Sequence, residues 1–368
     1  MRKLRVKAGL KQYPMLVGEG LLPQAGAILS GIGFRSAPVV VTNPTVMRLH
    51  GAPLIGSLEA SFGRVESVVM GDGERFKSRS TLARIHDALF EARADRHSWM
   101  AAFGGGVVGD AAGFAAATYM RGIAVVHVPT TLLAQVDSAI GGKVGINVPQ
   151  GKNLIGAFHQ PSAILADTAV LRTLPPRELA AGLYEVVKDG AIRSGALLGY
   201  LEKNLDDILG LKAAALERIV LEAARIKAAV VAEDEREKNL RMILNFGHTI
   251  GHALEAATRY RRFKHGEAVA WGMMAALEFG LESRLSRARD CSRIERLIHR
   301  IERLPSTRGI SFGSLWAALE RDKKFRSGTF RMVLLPGIGR PEIRDDIDPR
   351  RLRQFLERFM RGARTNGA

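Results

Sequence analysis

A single cysteine, Cys291, is the only thiol in this chain of 368 residues. That excludes an intrachain disulfide framework and argues against a thiolate metal site. Aromatic residues are scarce at 6%, and they do not alternate with basic residues as a nucleic-acid stacking surface requires. Long apolar runs are also missing. The segment Ala111–Met120 is broken by Gly113 and flanked by Asp110 and Arg121, so it does not read as a membrane span. The first ten residues, MRKLRVKAGL, carry no apolar signal core, which sets the expectation of a cytoplasmic protein. Acidic residues are outnumbered, 37 against 54 Lys and Arg, for a net charge of +17. Much of the excess is arginine in the last third, as in Arg350–Arg361, where the spacing suits a solvated amphipathic helix. A basic composition acting on an anionic small molecule accounts for it, so neither nucleic acid nor membrane is expected as a partner.

What is present is ordinary globular composition, 46% hydrophobic and 25% charged, at a length that fits two domains. Buried-strand patterns occur at Ala37–Asn43, Glu66–Met70, Trp99–Phe103, Ile123–Pro129 and Ala163–Asp167, with a helix expected from Thr81 to Ala94. A short alternating run, Leu4–Val6, precedes a hairpin expected around Gly18–Gly20. After Thr173–Leu179 the period changes to helical, over Glu178–Ile192, Leu211–Ala232, Ile243–Thr258, Glu267–Leu285 and Ile294–Ile301. One strand-like return, Phe330–Pro336, precedes a terminal helix. The expected architecture is an α/β domain with a Rossmann-like parallel sheet over residues 1–176, then a mainly α-helical domain over 177–368.

The chemistry is concentrated in Ala101–Lys188. Gly104, Gly106 and Gly109 satisfy G-x-G-x-x-G between a strand and a helix, the context in which backbone N–H groups approach a pyrophosphate. The ribose-binding acid expected ~20 residues later is absent. Asp72, Glu74 and Lys77, or Asn43, are the alternatives for that contact. Thr130 and Thr131 stand at a strand end, where they suit either a ligand or a helix cap.

Three residues are candidate metal ligands: Glu185, His248 in NFGHTIGH and His265 in KHGEAV. One carboxylate and two imidazoles leave an open coordination position, as at catalytic zinc. His252, four residues after His248, shares its helix face, and Glu267 is the alternative ligand. Cations recur in local motifs at Lys143, Lys152 beside Asn153, Lys188, Lys227, Arg241 and Lys323, positions suited to a substrate carrying phosphate and carboxylate.

Together GGGVVGD, YMRG, VPTTLLAQVDS, GGK, GKNLIGAFHQP, TLPPREL, EVVK, DEREKNLR, NFGHTIGHA, KHGEAVA and RDKK make the chain resemble the 3-dehydroquinate synthase family over nearly its whole length. The resemblance implies a divalent metal, Zn2+ or Co2+, on Glu185, His248 and His265. It implies NAD on Asp72, Glu74, Lys77, Gly105, Gly106, Gly109, Asp110, Thr130 and Thr131, with Lys143 and Lys152 assisting. Substrate phosphate would meet Lys143, Asn153, His252 and Lys323, with Arg121 reaching across a homodimer interface. Lys227, Arg241 and Asn245 would hold the carboxylate, and Asp137 and Lys188 the ring hydroxyls. The implied reaction converts 3-deoxy-D-arabino-heptulosonate 7-phosphate to 3-dehydroquinate and phosphate, the second step of the shikimate pathway. Four positions depart from the usual pattern: Val144 for a threonine, Tyr184 for an alanine, Asp189 for an aromatic and Asn43 for an aspartate.

Overall fold

The computed structural model describes residues 1–321, 325–326 and 329–365, without the side chains of 325–326 and 363–365. The chain packs as two compact units, Met1–Pro175 with Leu211–Arg236, and Pro176–Gly210 with Glu237–Ala368.

The first unit opens with an antiparallel hairpin of β1 (Arg2–Ala8) and β2 (Lys11–Gly18). Its turn is Gly9–Leu10, where Gly9 has φ +57°, and not the expected Gly18–Gly20. At that second glycine pair the chain leaves β2, because the Gly20 and Leu22 N–H groups both donate to the Asp167 carboxylate at 2.9 Å. β3 (Val39–Thr42), β4 (Glu66–Val69), β5 (Trp99–Gly104) and β6 (Ala124–Pro129) follow. A separate hairpin, β7 (Lys143–Val148) and β8 (Gly151–Phe158), precedes β9 (Ala163–Asp167). The main sheet runs β1-β2-β9-β6-β5-β3-β4, and every pairing except β1–β2 is parallel. This is the expected Rossmann-like sheet. All residues of β3, β5 and β9 are buried, which explains their unbroken apolar runs.

Helices α1 (Ala25–Ile32), α2 (Pro44–Phe62), α3 (Arg79–Glu91) and α4 (Gly106–Thr118) connect the strands. The alanines of α4 let it lie close to the sheet. Ala112 and Ala115 join Val41, Ile85, Met100 and Val108 in one apolar cluster. Phe114 on its other side meets Val144 and Ile146 of β7. The Val144 side chain therefore faces α4, as part of the contact that fixes the hairpin. Truncating a fully buried residue such as Ile146, 1% exposed, to alanine costs roughly 2–5 kcal/mol.

The second unit begins with α5 (Pro176–Arg193) and α6 (Gly195–Leu209). Of the helices expected beyond residue 176, α7 (Ala213–Glu233) packs with the first unit, where Glu217 accepts the Glu19 N–H at 3.2 Å. Then come α8 (His248–Ala257), α9 (His265–Glu282), α10 (Ala288–Ile301) and α11 (Phe312–Arg321). The single helix expected over Ile243–Thr258 is interrupted. Leu240–Asn245 is 3-10, and Gly247 takes φ +80° before α8 starts. The strand-like return is one member of a three-stranded antiparallel sheet, β10 (Phe325–Arg326), β11 (Thr329–Gly337) and β12 (Arg340–Ile347). β12 reads poorly as a strand because charged residues fill its outward positions. Terminal α12 (Pro349–Thr365) buries Leu352, Phe355, Leu356 and Phe359, with the Phe355 ring 5.2 Å from that of Phe279 in α9. Cys291 is buried in α10, and burial pushes its thiol up to about 11, which leaves it protonated at neutral pH.

His127, in β6, is 4% exposed and packs against α4, where a Cβ on Gly109 would lie 3.3 Å from its Nδ1. Burial, reinforced by His159, pushes its pKa down from 6.5 to about 4. The folded chain holds the ring neutral, whereas the unfolded chain takes up a proton below 6.5. Stability conferred by this group is therefore lost as pH falls from about 6.5 towards about 4, on the order of 3 kcal/mol in all. Urea denaturation of the wild type and of His127→Gln at pH 7 and pH 5 should show a shallower pH dependence in the variant. Identical slopes would mean that other groups carry the effect.

Candidate active site

In the second unit three helices bring one carboxylate and three imidazoles together. Glu185 lies mid-way along α5 and is fully buried. His248 is the first residue of α8 and His265 the first of α9. Backbones approach closely enough for this because glycines stand at the crossings. A Cβ on Gly272 would sit 1.8 Å from the Gly247 carbonyl, and one on Gly266 1.9 Å from the Ala181 carbonyl.

Glu185 Oε2 accepts from Lys188 Nζ at 2.5 Å. Its Oε1 has no hydrogen-bond donor among the described residues, yet it lies 3.7 Å from His248 Nε2 and 3.7 Å from His265 Nε2. A buried carboxylate oxygen left unpaired is costly, and with two imidazole nitrogens at equal distance it forms a donor set that a divalent cation would fit. The remaining ring nitrogens are held from behind. His248 Nδ1 lies 3.2 Å from the Phe246 carbonyl, and His265 Nδ1 lies 3.1 Å from Glu255 Oε2. Such outer partners leave each Nε2 towards Glu185 Oε1, the orientation a metal ligand would need.

The ligand atoms of His248, His252 and His265 also fall within 4.8 Å of one another, so a three-histidine set competes with the Glu185 set. Glu185 is favoured because it is a buried anion facing the two nitrogens, whereas His252 is exposed at the rim. Glu267, the alternative ligand, is excluded: one oxygen accepts the Lys264 N–H, and both accept from the Arg177 guanidinium at 2.5 and 2.8 Å. It is a helix cap.

Around this centre Lys188 is 1% exposed and lies 3.5 Å from Asp189 Oδ1, itself 1% exposed. Tyr184 anchors α5 by donating to the Glu302 carbonyl at 3.1 Å. Arg241 is buried in the 3-10 turn, and Asn245 donates to Glu237 at 2.7 Å. Lys323 lies outside the described residues.

In the first unit the carboxyl ends of the central strands carry the glycine-rich turn. Gly105 precedes α4 with no side-chain cap, leaving first-turn N–H groups for an anion. A Cβ on Gly105 would approach Thr131 Cγ2 to 3.0 Å, and one on Gly106 would approach Ser138 Oγ to 3.0 Å. Gly109 packs on His127 instead. The Thr131 hydroxyl accepts the Ala134 N–H at 3.1 Å, a cap, while Thr130 is buried with its N–H on the Gly104 carbonyl. The side-chain oxygen of Asn43 caps α2 at 2.8 Å. Asp72 accepts from Thr45 at 2.8 Å. Lys77 is buried and joins Asp110 to the Asn153 side chain.

Asp137 lies in a π-helical turn, Ala134–Ser138, and accepts from Lys227 at 2.5 Å. Lys143 is exposed and Lys152 half-buried, on the two strands of the β7–β8 hairpin. Arg121 is exposed with φ +65°, next to Met120 at φ +45°. Two successive non-glycine residues in this region form a strained turn of the kind found at functional sites.

The family model of the 3-dehydroquinate synthase N-terminal region matches residues 67–181, and that of the C-terminal region matches residues 182–325. The chain belongs to the 3-dehydroquinate synthase family. A 3-dehydroquinate synthase of Symbiobacterium thermophilum is 46% identical over 97% of this chain and 100% of its own. Among solved structures, a 2-deoxy-scyllo-inosose synthase with carbaglucose-6-phosphate, NAD+ and Co2+ is 27% identical, covers 97% of this chain and 100% of its own, and has a TM-score of 0.88. A 2-epi-5-epi-valiolone synthase of Streptomyces hygroscopicus with NAD+ and Zn2+ is 28% identical, covers 98% and 100%, and has a TM-score of 0.85.

Sequence reading missed Glu255, although it follows His248 and His252 at heptad spacing on one helix face. It also missed Asn147, whose contacts are non-local. For the metal centre, chelator-competition titration of Zn2+ separates the two ligand sets. Glu255→Gln should weaken binding roughly 10–100-fold, the usual loss for an outer partner, and Glu185→Gln by more. Unchanged binding in Glu185→Gln with loss in His252→Ala would assign the site to the three histidines.

Proposed function

We propose that the chain performs its family's reaction, converting 3-deoxy-D-arabino-heptulosonate 7-phosphate to 3-dehydroquinate and phosphate. The observation that carries this is the buried Glu185 carboxylate facing His248 and His265, in a chain akin to a 3-dehydroquinate synthase from end to end. When bound, NAD+ would supply transient hydride uptake and return, and a divalent metal would polarise the oxygen being oxidised. The substrate would be oxidised at one hydroxyl to a ketone, lose the proton thereby acidified on the adjacent carbon together with phosphate from the carbon beyond it, be reduced again, and open its ring before reclosing by an intramolecular aldol step. The enzyme is thus a lyase with no net redox change.

Glu185, His248 and His265 would hold the metal. The open first turn of α4 would take the coenzyme pyrophosphate, with Asp72, Glu74, Lys77 and Asp110 beside it. Lys143, Asn153, His252 and Lys323 would meet the leaving phosphate, positioning it while it serves as its own base, and Lys152 would assist at the coenzyme. Lys227, Arg241 and Asn245 would grip the carboxylate, and Asp137 and Lys188 would orient the ring hydroxyls.

The expected homodimer and cytoplasmic setting belong to the same proposal. Leu154 and Phe158 are each 46% exposed on β8, whose outer edge is unpaired among the described residues. Met120, 51% exposed, stands beside Arg121. An apolar, unpaired edge of this kind suits a second copy of the chain.

Phosphate release from the heptulosonate phosphate, with catalytic NAD+, should be abolished by EDTA and restored by Zn2+, without net NADH. Steady NADH accumulation would make the protein a dehydrogenase, and release only from sedoheptulose 7-phosphate would make it a related cyclase. If Arg121 acts in trans, inactive Arg121→Ala and Lys143→Ala proteins should regain activity when refolded together. A mixture that stays inactive removes the shared site.

A further inference from the structure

Asn147 occupies an irregularity in the β7–β8 ladder, between the paired residues Ile146 and Val148. Its N–H does not enter the hairpin but donates to the Lys77 carbonyl at 2.9 Å. The side chain is half-buried at this irregularity. Its Nδ2 donates to Glu74 Oε1 at 2.7 Å, and its Oδ1 accepts the Asn153 N–H at 3.0 Å. This assignment of the amide is forced, because a carboxylate only accepts and a backbone N–H only donates. Asn153 is held at φ +55°, and its own side-chain oxygen accepts from Lys77. Lys77 also pairs with Asp110 on α4. Glu74, Asn147, Asn153 and Lys77 thereby form a closed hydrogen-bonded circuit between the turn after β4 and the tip of the hairpin.

From this geometry, and resting on the proposed function, we infer that Asn147 is a positioning residue that couples coenzyme binding to substrate-phosphate binding. Glu74 and Lys77 are on the coenzyme side of the circuit, Asn153 on the phosphate side. Asn147 belongs to neither side, and its side-chain amide bonds to both. Ordering either end lowers the entropy lost in ordering the other, which appears as reciprocal affinity enhancement.

The test uses the Zn2+-loaded full chain, with NAD+ and inorganic phosphate as probes. In the wild type, phosphate should tighten NAD+ binding about five-fold or more. Asn147→Ala should abolish that enhancement and raise KM for the heptulosonate phosphate more than it lowers kcat. Asn147→Asp should also lose it, since two carboxylates then face each other. The double variant Glu74→Gln with Asn147→Asp should restore it. There the amide introduced at position 74 can donate to the carboxylate introduced at position 147, which still accepts the Asn153 N–H.

Thermal melts establish that each variant folds; if Asn147→Ala does not, the Asn147→Asp single and double variants carry the comparison. Enhancement retained in Asn147→Asp, not restored in the double variant, or absent from a wild type that binds both probes, would each overturn the inference. A wild type that binds no NAD+ would overturn the underlying functional reading, and the coupling with it.

Discussion

A carboxylate with no water around it demands positive charge, and Glu185 places that demand at the centre of the second unit. Lys188 answers one oxygen and leaves the other facing two imidazoles. An ion pair buried without its full complement of partners is a net cost to folding. A cation bound at that oxygen would offset the cost. The same demand explains the glycines at the helix crossings: α5, α8 and α9 must converge within side-chain reach of one point, and backbone contact is the only way to fit them.

The first unit solves a different problem. Its parallel sheet exposes ligand-binding chemistry only at the carboxyl ends of its strands, and a hairpin over α4 adds lysines and amides beside that edge. Phe114, Val144 and Ile146 fix the hairpin apolarly from beneath, while Glu74, Asn147, Asn153 and Lys77 tie its tip by hydrogen bonds. The underside is thus rigid by packing, and the tip is polar and responsive to charge.

Much of this was legible in the residues because buried strands and ligand-bearing helices leave periodic or local marks. Four central strands and the edge strand β4 appear as apolar runs, and Glu185, His248 and His265 stand out by their spacing and glycine neighbours. What escaped was decided by distant partners. Gly18–Gly20 looks like a hairpin turn, but Asp167 claims its N–H groups from across the sheet. Glu267 looks like a metal ligand until Arg177, remote in sequence, takes both of its oxygens. Asn147 carries no local mark at all. The helical period over Ile243–Thr258 is real on both sides of Gly247, and a single left-handed residue separates them.

The placement of α7 also governs how the molecule can be made. The chain leaves the first unit at Pro175 and re-enters it only at Leu211. β1 and β2 thus emerge from the ribosome with one flank bare until Ala213–Glu233 has been synthesised. At ordinary translation speeds of about 5–20 residues per second, that interval is roughly 10–40 s. During it α5 and α6 are already available. The two units therefore cannot mature in sequence as beads on a string; the nascent sheet must persist with that flank uncovered while part of the second unit is being extruded.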